Sequence, residues 1–112
     1  MASRQHRVPK HQAEAYRKLL GLLPVTRAHY GDPQPDGQNP FFIAEYKARA
    51  RAPFVIRQAF EQLDAYASSQ DSRTPIVLFH RIGQCHELDW VVLRVRDFRE
   101  ILRQQGLFTP QP

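Results

Sequence analysis

Apolar positions first recur at helical spacing between Lys10 and Leu23, where Ala13, Tyr16, Leu19, Leu20 and Leu23 fall on one side of a 3.6-residue repeat. This pattern predicts an amphipathic helix, with Pro24 as its stop signal. VTRAHY at 25–30 is rich in β-formers and predicts a short strand. The next ten residues, GDPQPDGQNP, hold three prolines and two glycines. No helix or central strand tolerates that composition, so 31–40 is expected to be loop and turn, with at most a short edge strand.

The period then drops to two. In FFIAEYKAR at 41–49, Phe41, Ile43, Glu45 and Lys47 share one face, and Phe42, Ala44, Tyr46 and Ala48 the other, which predicts a strand. Helical spacing returns over 54–68, with Ile56, Phe60, Leu63 and Ala67 on one stripe. After the SSQDSR loop, TPIVLFHRI at 74–82 predicts a buried-type strand. A turn around Gly83 to Glu87 leads to a further strand, DWVVLRV at 89–95. Asp97 reads as the N-cap of a last helix from Phe98 to Gln105, closed by Gly106. The expected order is α-β-β-β-α-β-β-α, an α/β fold with a mixed β-sheet flanked by helices. Residues 1–9 read as a flexible basic arm, 10–107 as one domain and 108–112 as a tail.

Composition narrows the class. The 112 residues suffice for one domain. With 42% hydrophobic and 24% charged residues, the chain is neither wholly disordered nor collagen-like. Apolar runs such as PIVLF fall far short of the ~20 residues of a membrane span. The first residues, MASRQHRVPKHQ, lack the apolar stretch of a signal peptide, so a soluble cytoplasmic protein with no membrane partner is expected. Cys85 is the single cysteine and has no partner in the chain for a disulfide. Net charge is +5, and the first thirty residues alone carry that excess: Arg4, Arg7, Lys10, Arg17, Lys18 and Arg27 face one acid, Glu14. A basic first helix suits a polyanionic partner.

The candidate chemistry lies on the 41–49 strand. Glu45 and Lys47 stand two apart and share a face with Phe41 and Ile43, although charge is usually kept off a core-packing face. Asp36, nine residues before Glu45, sits in a Pro-Gly turn that can bring its carboxylate back toward Glu45. Two carboxylates beside an ammonium make a site for a hard cation such as Mg²⁺. A metal so held acidifies a water and offsets charge on a phosphate. A cross-strand salt bridge at an exposed strand end is the plainer reading of Glu45 and Lys47. His80, Cys85 and His86 fall within seven residues, but no fourth ligand follows at matching spacing. A polar hairpin turn is therefore expected there rather than a zinc site.

Pro35-Asp36, eight intervening residues and Glu45-Tyr46-Lys47 resemble the signature of the PD-(D/E)xK, or restriction-endonuclease-like, nucleases. The order of elements also resembles that superfamily, and the general look is similar to small phage-type and archaeal-type Holliday junction resolvase-like endonucleases. The resemblance implies a restriction-endonuclease-like core and a Mg²⁺-dependent DNA endonuclease, with Mn²⁺ able to substitute and no small-molecule cofactor. It implies Asp36, Glu45 and the Tyr46 backbone carbonyl as metal ligands, Lys47 as catalytic lysine and Gln62, rather than Gln58, as a further catalytic residue. Glu14 would be an auxiliary acid, and Asp32 of Gly31-Asp32 competes with Asp36 for the first-ligand role. Arg17, Lys18, Arg49 and Arg51 are the candidate DNA-binding residues. Recognition of branched or duplex DNA by shape is expected, together with a homodimer, because junction cleavage needs two symmetric sites. If phage-encoded, the protein would act in the bacterial host cytoplasm. A non-catalytic DNA-binding module that keeps the nuclease fold is the alternative.

Overall fold

A computed structural model describes residues 10–25, 34–67 and 70–107. The chain is mixed α/β. Its elements in order are α1 (Lys10–Leu20), β1 (Gly37–Gln38), β2 (Ile43–Ala44), α2 (Phe54–Tyr66), β3 (Val77–Phe79), a 3-10 turn (His86–Leu88), β4 (Trp90–Val92) and α3 (Val95–Gln104). Among the described residues the strands form two separate antiparallel two-stranded sheets, β1–β2 and β3–β4, instead of the single mixed sheet expected from the sequence. The strand expected at 25–30 lies almost wholly outside the described residues. No helix among the described residues is long and apolar enough to cross a membrane. The described residues of 1–48 and 99–112 form one compact unit, and those of 49–98 a second.

In the first unit, α1 ends at Leu20 because Gly21 takes a left-handed conformation, φ 67°. The Gly21 N–H returns to the Arg17 carbonyl and the Leu22 N–H to that of Tyr16. This corrects the predicted helix end and one core residue. The reversal turns Leu22 inward, with 5% of its surface exposed, and leaves Leu23 57% exposed. Leu23 instead exchanges both backbone hydrogen bonds with Gln38, adding an isolated bridge to the β1 edge. Gly37 pairs with Ala44 and Gln38 with Ile43. Asn39 closes this hairpin: its Oδ1 accepts the Phe41 and Phe42 N–H groups at 2.8 Å, and its Nδ2 donates to the Leu20 carbonyl at 3.2 Å. The same side chain therefore shapes the turn and ties it to the end of α1.

The two-residue alternation read from the sequence is present from Phe41 to Lys47. Phe42, Ala44 and Tyr46 are half-buried or buried, while Phe41, Ile43, Glu45 and Lys47 are exposed. The hydrogen-bonded ladder is shorter than the predicted strand, because pairing lasts only where β1 lies alongside. Among the described residues the buried hydrophobic side chains are Leu20, Leu22, Tyr46 and Leu102, the last from the C-terminal part of α3. Helix α3 ends as predicted at Gly106, φ 71°. The Gly106 N–H bonds the Arg103 carbonyl and the Leu107 N–H bonds that of Leu102, the paired bonds of a Schellman cap.

In the second unit, α2 begins after Pro53, whose carbonyl accepts the Ile56 and Arg57 N–H groups. The predicted stripe of Ile56, Phe60, Leu63 and Ala67 is half-buried, and α2 packs on β3. Val77 pairs with Val92, Leu78 with Val91 and Phe79 with Trp90, whose rings stack 5.6 Å apart. Both predicted strands exceed their ladder. Pro75 has no N–H to contribute to pairing on one side, and Arg94 on the other serves as the start of α3. Its carbonyl accepts the Asp97 and Phe98 N–H groups. Asp97 is therefore a first-turn acid, not the predicted N-cap, which still suits the positive end of the helix dipole.

Candidate metal and nucleic-acid site

The sequence-predicted site centres on the β1–β2 hairpin. The Asp36 N–H donates to the Ala44 carbonyl at 2.8 Å, although Ala44 already pairs with Gly37. Two residues thus stand against one, the arrangement of a β-bulge, which re-aims the side chain it carries. The Asp36 carboxylate is turned so that its Oδ2 accepts the Tyr46 N–H at 2.7 Å. Asp36 consequently brackets Glu45, bonding the residue on each side of it.

Tyr46 anchors this arrangement. Its side chain is 4% exposed, and its ring meets Tyr16 edge-on with centroids 4.8 Å apart. Burial, then the nearby Asp36 carboxylate and Tyr16, push its hydroxyl pKa up. Gly37 makes room for that hydroxyl: a Cβ there would overlap it and lie 2.9 Å from Tyr46 Cζ. From α1, Gln12 Nε2 donates to the Lys47 carbonyl at 3.0 Å and to the Tyr16 hydroxyl at 3.3 Å. The chain on both sides of Tyr46 is thereby fixed.

Asp36 and Glu14 line one hollow of about 340 Å³, together with Lys10, Arg17 and Tyr46. The first helix therefore does bring its acid to the wall that Asp36 forms. Glu45 lines a different hollow, with Gln34, Pro35, Ile43 and Ala44. The backbone brings Asp36 and Glu45 to neighbouring places on the hairpin, while their side chains open onto different depressions. Lys47 is exposed on the Glu45 face. Arg17 and Lys18 are largely solvent-facing and stand 3.9 and 3.8 Å from Glu14. Gln62, Gln58, Arg49 and Arg51 are exposed residues of the second unit. Asp32 lies outside the described residues.

The second unit holds a constellation of which the sequence shows two members, His80 and His86, and hides the third. His80 Nδ1 lies 2.7 Å from Asp89 Oδ1, and His86 Nδ1 lies 2.9 Å from Asp89 Oδ2. The two imidazole centroids are 4.3 Å apart. Hydrogen bonds from His86, then from His80, hold the Asp89 carboxyl below its ordinary pKa. Cys85 is exposed and is not part of this cluster. The missed residue is Asp89, and its signal was the His86-to-Asp89 spacing of one helical turn.

Comparison with protein-family models, curated proteins and solved structures gives no match for this chain.

Proposed function

We propose that the protein is a Mg²⁺-dependent DNA endonuclease of PD-(D/E)xK type with a restriction-endonuclease-like core, selective for branched DNA as in Holliday junction resolvases. The observation that carries the reading is the bracket around Glu45: Asp36, nine residues earlier, bonds Ala44 and Tyr46. The donor set fits the ion, since the Asp36 and Glu45 carboxylates and the Tyr46 carbonyl are hard oxygen ligands, and Mg²⁺ keeps waters in its remaining positions. One Asp36 oxygen already accepts a backbone N–H, and a carboxylate oxygen has a second lone pair for a cation. When bound, the ion supplies Lewis-acid activation of water and charge compensation at a phosphate.

The chain's own residues provide the rest. Lys47, exposed beside Glu45, orients the attacking water and contacts the scissile phosphate. Arg17 and Lys18 hold the DNA backbone through salt-sensitive phosphate contacts. Arg49 and Arg51 add salt-sensitive phosphate contacts of their own, and a homodimer supplies the two cuts a junction requires. The site would work in the cytoplasm, where Mg²⁺ and DNA are both present.

The test is cleavage of labelled four-way junction, flap, linear duplex and single strand with Mg²⁺ or Mn²⁺, using wild type, Glu45→Gln and Lys47→Ala. Junction cutting by wild type and a loss of at least about 100-fold in each variant is expected, in the range of a lost general acid or base. The separate hollows lined by Asp36 and Glu45 favour a second reading, a DNA-binding module without turnover. Tight salt-sensitive binding without cutting would replace the first reading by the second. Neither cutting nor binding would remove both.

A further inference from the structure

We infer that His80, His86 and Asp89 form a binding site for a borderline divalent transition metal, Zn²⁺ being the natural occupant, that clips the β3–β4 hairpin. This site is separate from the Asp36–Glu45 reading and does not depend on it.

The hairpin presents the three residues together. Phe79 pairs with Trp90, so the next rung of the same register sets His80 opposite Asp89. His86 arrives from the connection, where the 3-10 turn places it one helical turn before Asp89. That connection is internally held. Gly83 takes φ 92°, the Gln84 N–H bonds the Arg81 carbonyl, and Gln84 Nε2 donates to the Leu88 carbonyl at 2.9 Å. The Leu88 and Asp89 N–H groups close onto Cys85 and His86. One potential ligand atom from each of the three residues lies within 4.8 Å of the others, and no other such group of three or more occurs among the described residues.

Donor chemistry selects the metal. Two imidazole nitrogens and one carboxylate oxygen suit Zn²⁺, Co²⁺ or Ni²⁺, whereas Mg²⁺ takes mostly oxygen. The nitrogen-to-oxygen distances of 2.7 and 2.9 Å are held by protons. With bonds of about 2.0–2.1 Å, a tetrahedral ion needs ligand edges of roughly 3.3 Å, so each of these two nitrogen-to-oxygen edges opens by about half an ångström to admit it. Each neutral ring moves its Nδ1 proton to Nε2 when Nδ1 takes the metal, and a doubly protonated ring releases one proton to solvent. Side-chain exposures of 37% for His80 and 84% for His86 leave the site open to an arriving ion and to a water as fourth ligand. The surrounding unit supplies a reason for a clip. None of its described residues is buried, and small units with little core commonly rely on metals or disulfides.

The experiment uses the full chain titrated with Co²⁺ and followed by its visible absorption, then displaced with Zn²⁺, with thermal unfolding recorded with and without Zn²⁺. Wild type should develop the bands of four-coordinate Co²⁺ with nitrogen and oxygen ligands, and Zn²⁺ should raise its melting temperature. His80→Ala, His86→Ala and Asp89→Asn should each weaken binding by at least about 10-fold. Cys85→Ser and excess Mg²⁺ should leave it unchanged. His86→Ala changes a largely exposed side chain, so circular dichroism should find it folded. Absent bands in wild type would overturn the proposal, as would undiminished binding in His86→Ala or Asp89→Asn. A sulfur-to-cobalt charge-transfer band lost in Cys85→Ser would overturn the assigned ligand set.

Discussion

In the first unit, Leu20, Leu22, Tyr46 and Leu102 are buried, and hydrogen bonds from Gln12, Asp36 and Asn39 run between elements. In the second, none of the described residues is buried, and the recurring contacts lie at the surface. There Arg94 grips Asp64 at 2.7 and 3.1 Å and lies 4.6 Å over the Phe60 ring. Arg73 grips Asp71 at 2.6 Å, and Phe79 stacks on Trp90. Exposed ion pairs are weak and screened by salt. Similar lengths of helix and strand therefore rest on different physics, interior packing in one unit and half-covered faces with ion pairs in the other.

The widest separation is expected from aromatic truncation. Tyr46→Ala should cost about 3–5 kcal/mol, the range for deleting a buried aromatic. Phe60→Ala, on a half-buried stripe, should cost well under half as much. Urea denaturation of each variant measures both, and equal losses would break the contrast. Glycine substitution gives a smaller effect. Gly37→Ala drives a Cβ into the Tyr46 hydroxyl and should cost about 1–3 kcal/mol as overpacking. Tyr46→Phe should recover part of that loss in the double variant, since the two sites touch. At Gly83 a Cβ meets nothing within 4 Å, so only its φ of 92° is strained and Tyr46→Phe should not couple to it.

The smallest effects lie in pH. The Tyr46 pKa is raised by burial, so above its ordinary value of 10.0 the unfolded chain loses the proton first. Stability should be flat in this group below about pH 10 and fall above it, and Tyr46→Phe should remove that slope. In the second unit, Arg73 lowers Asp71 to about 2. Its contribution should be present above the ordinary carboxylate pKa of 3.8 and vanish as pH falls through about 2, by a small amount because the pair is exposed. Unfolding curves across pH for Tyr46→Phe and Asp71→Asn measure both.

The sequence carried local periodicity well. The alternation from Phe41 to Lys47, the stripe on α2 and the Gly106 stop were all legible, because each depends on residue spacing or on one special backbone angle, whereas the side of the 41–47 strand that faces inward was not. What depends on a partner was not legible. Ladder length needs a neighbouring strand, so a run of β-formers overstated both β3 and β4. Leu22 was missed for Leu23 because extending a helical repeat past Gly21 ignores the reversal that glycine makes. At the candidate site, spacing placed Asp36 and Glu45 on one hairpin but did not set the direction of their side chains, which open onto different hollows. Nor was the bulge that turns the Asp36 carboxylate onto the Tyr46 N–H legible, since it arises from two-against-one pairing. The Asp89 partnership of His80 and His86 was hidden for a similar reason, because it joins the end of one strand to the start of the next across a turn.

The strict in–out alternation between Phe41 and Lys47 has a consequence for how this chain can vary. Side chains leaving on the outer side, Glu45 and Lys47 among them, lie on the face away from the buried Tyr46, so change there leaves the burial of that ring in place. Asp36 has no such liberty: a lineage that gives up its carboxylate also gives up the bond to the Tyr46 N–H and must find another way to hold the strand. The outer face of one strand thus stands apart from the ring beneath it, and the residue alongside is bound to the architecture.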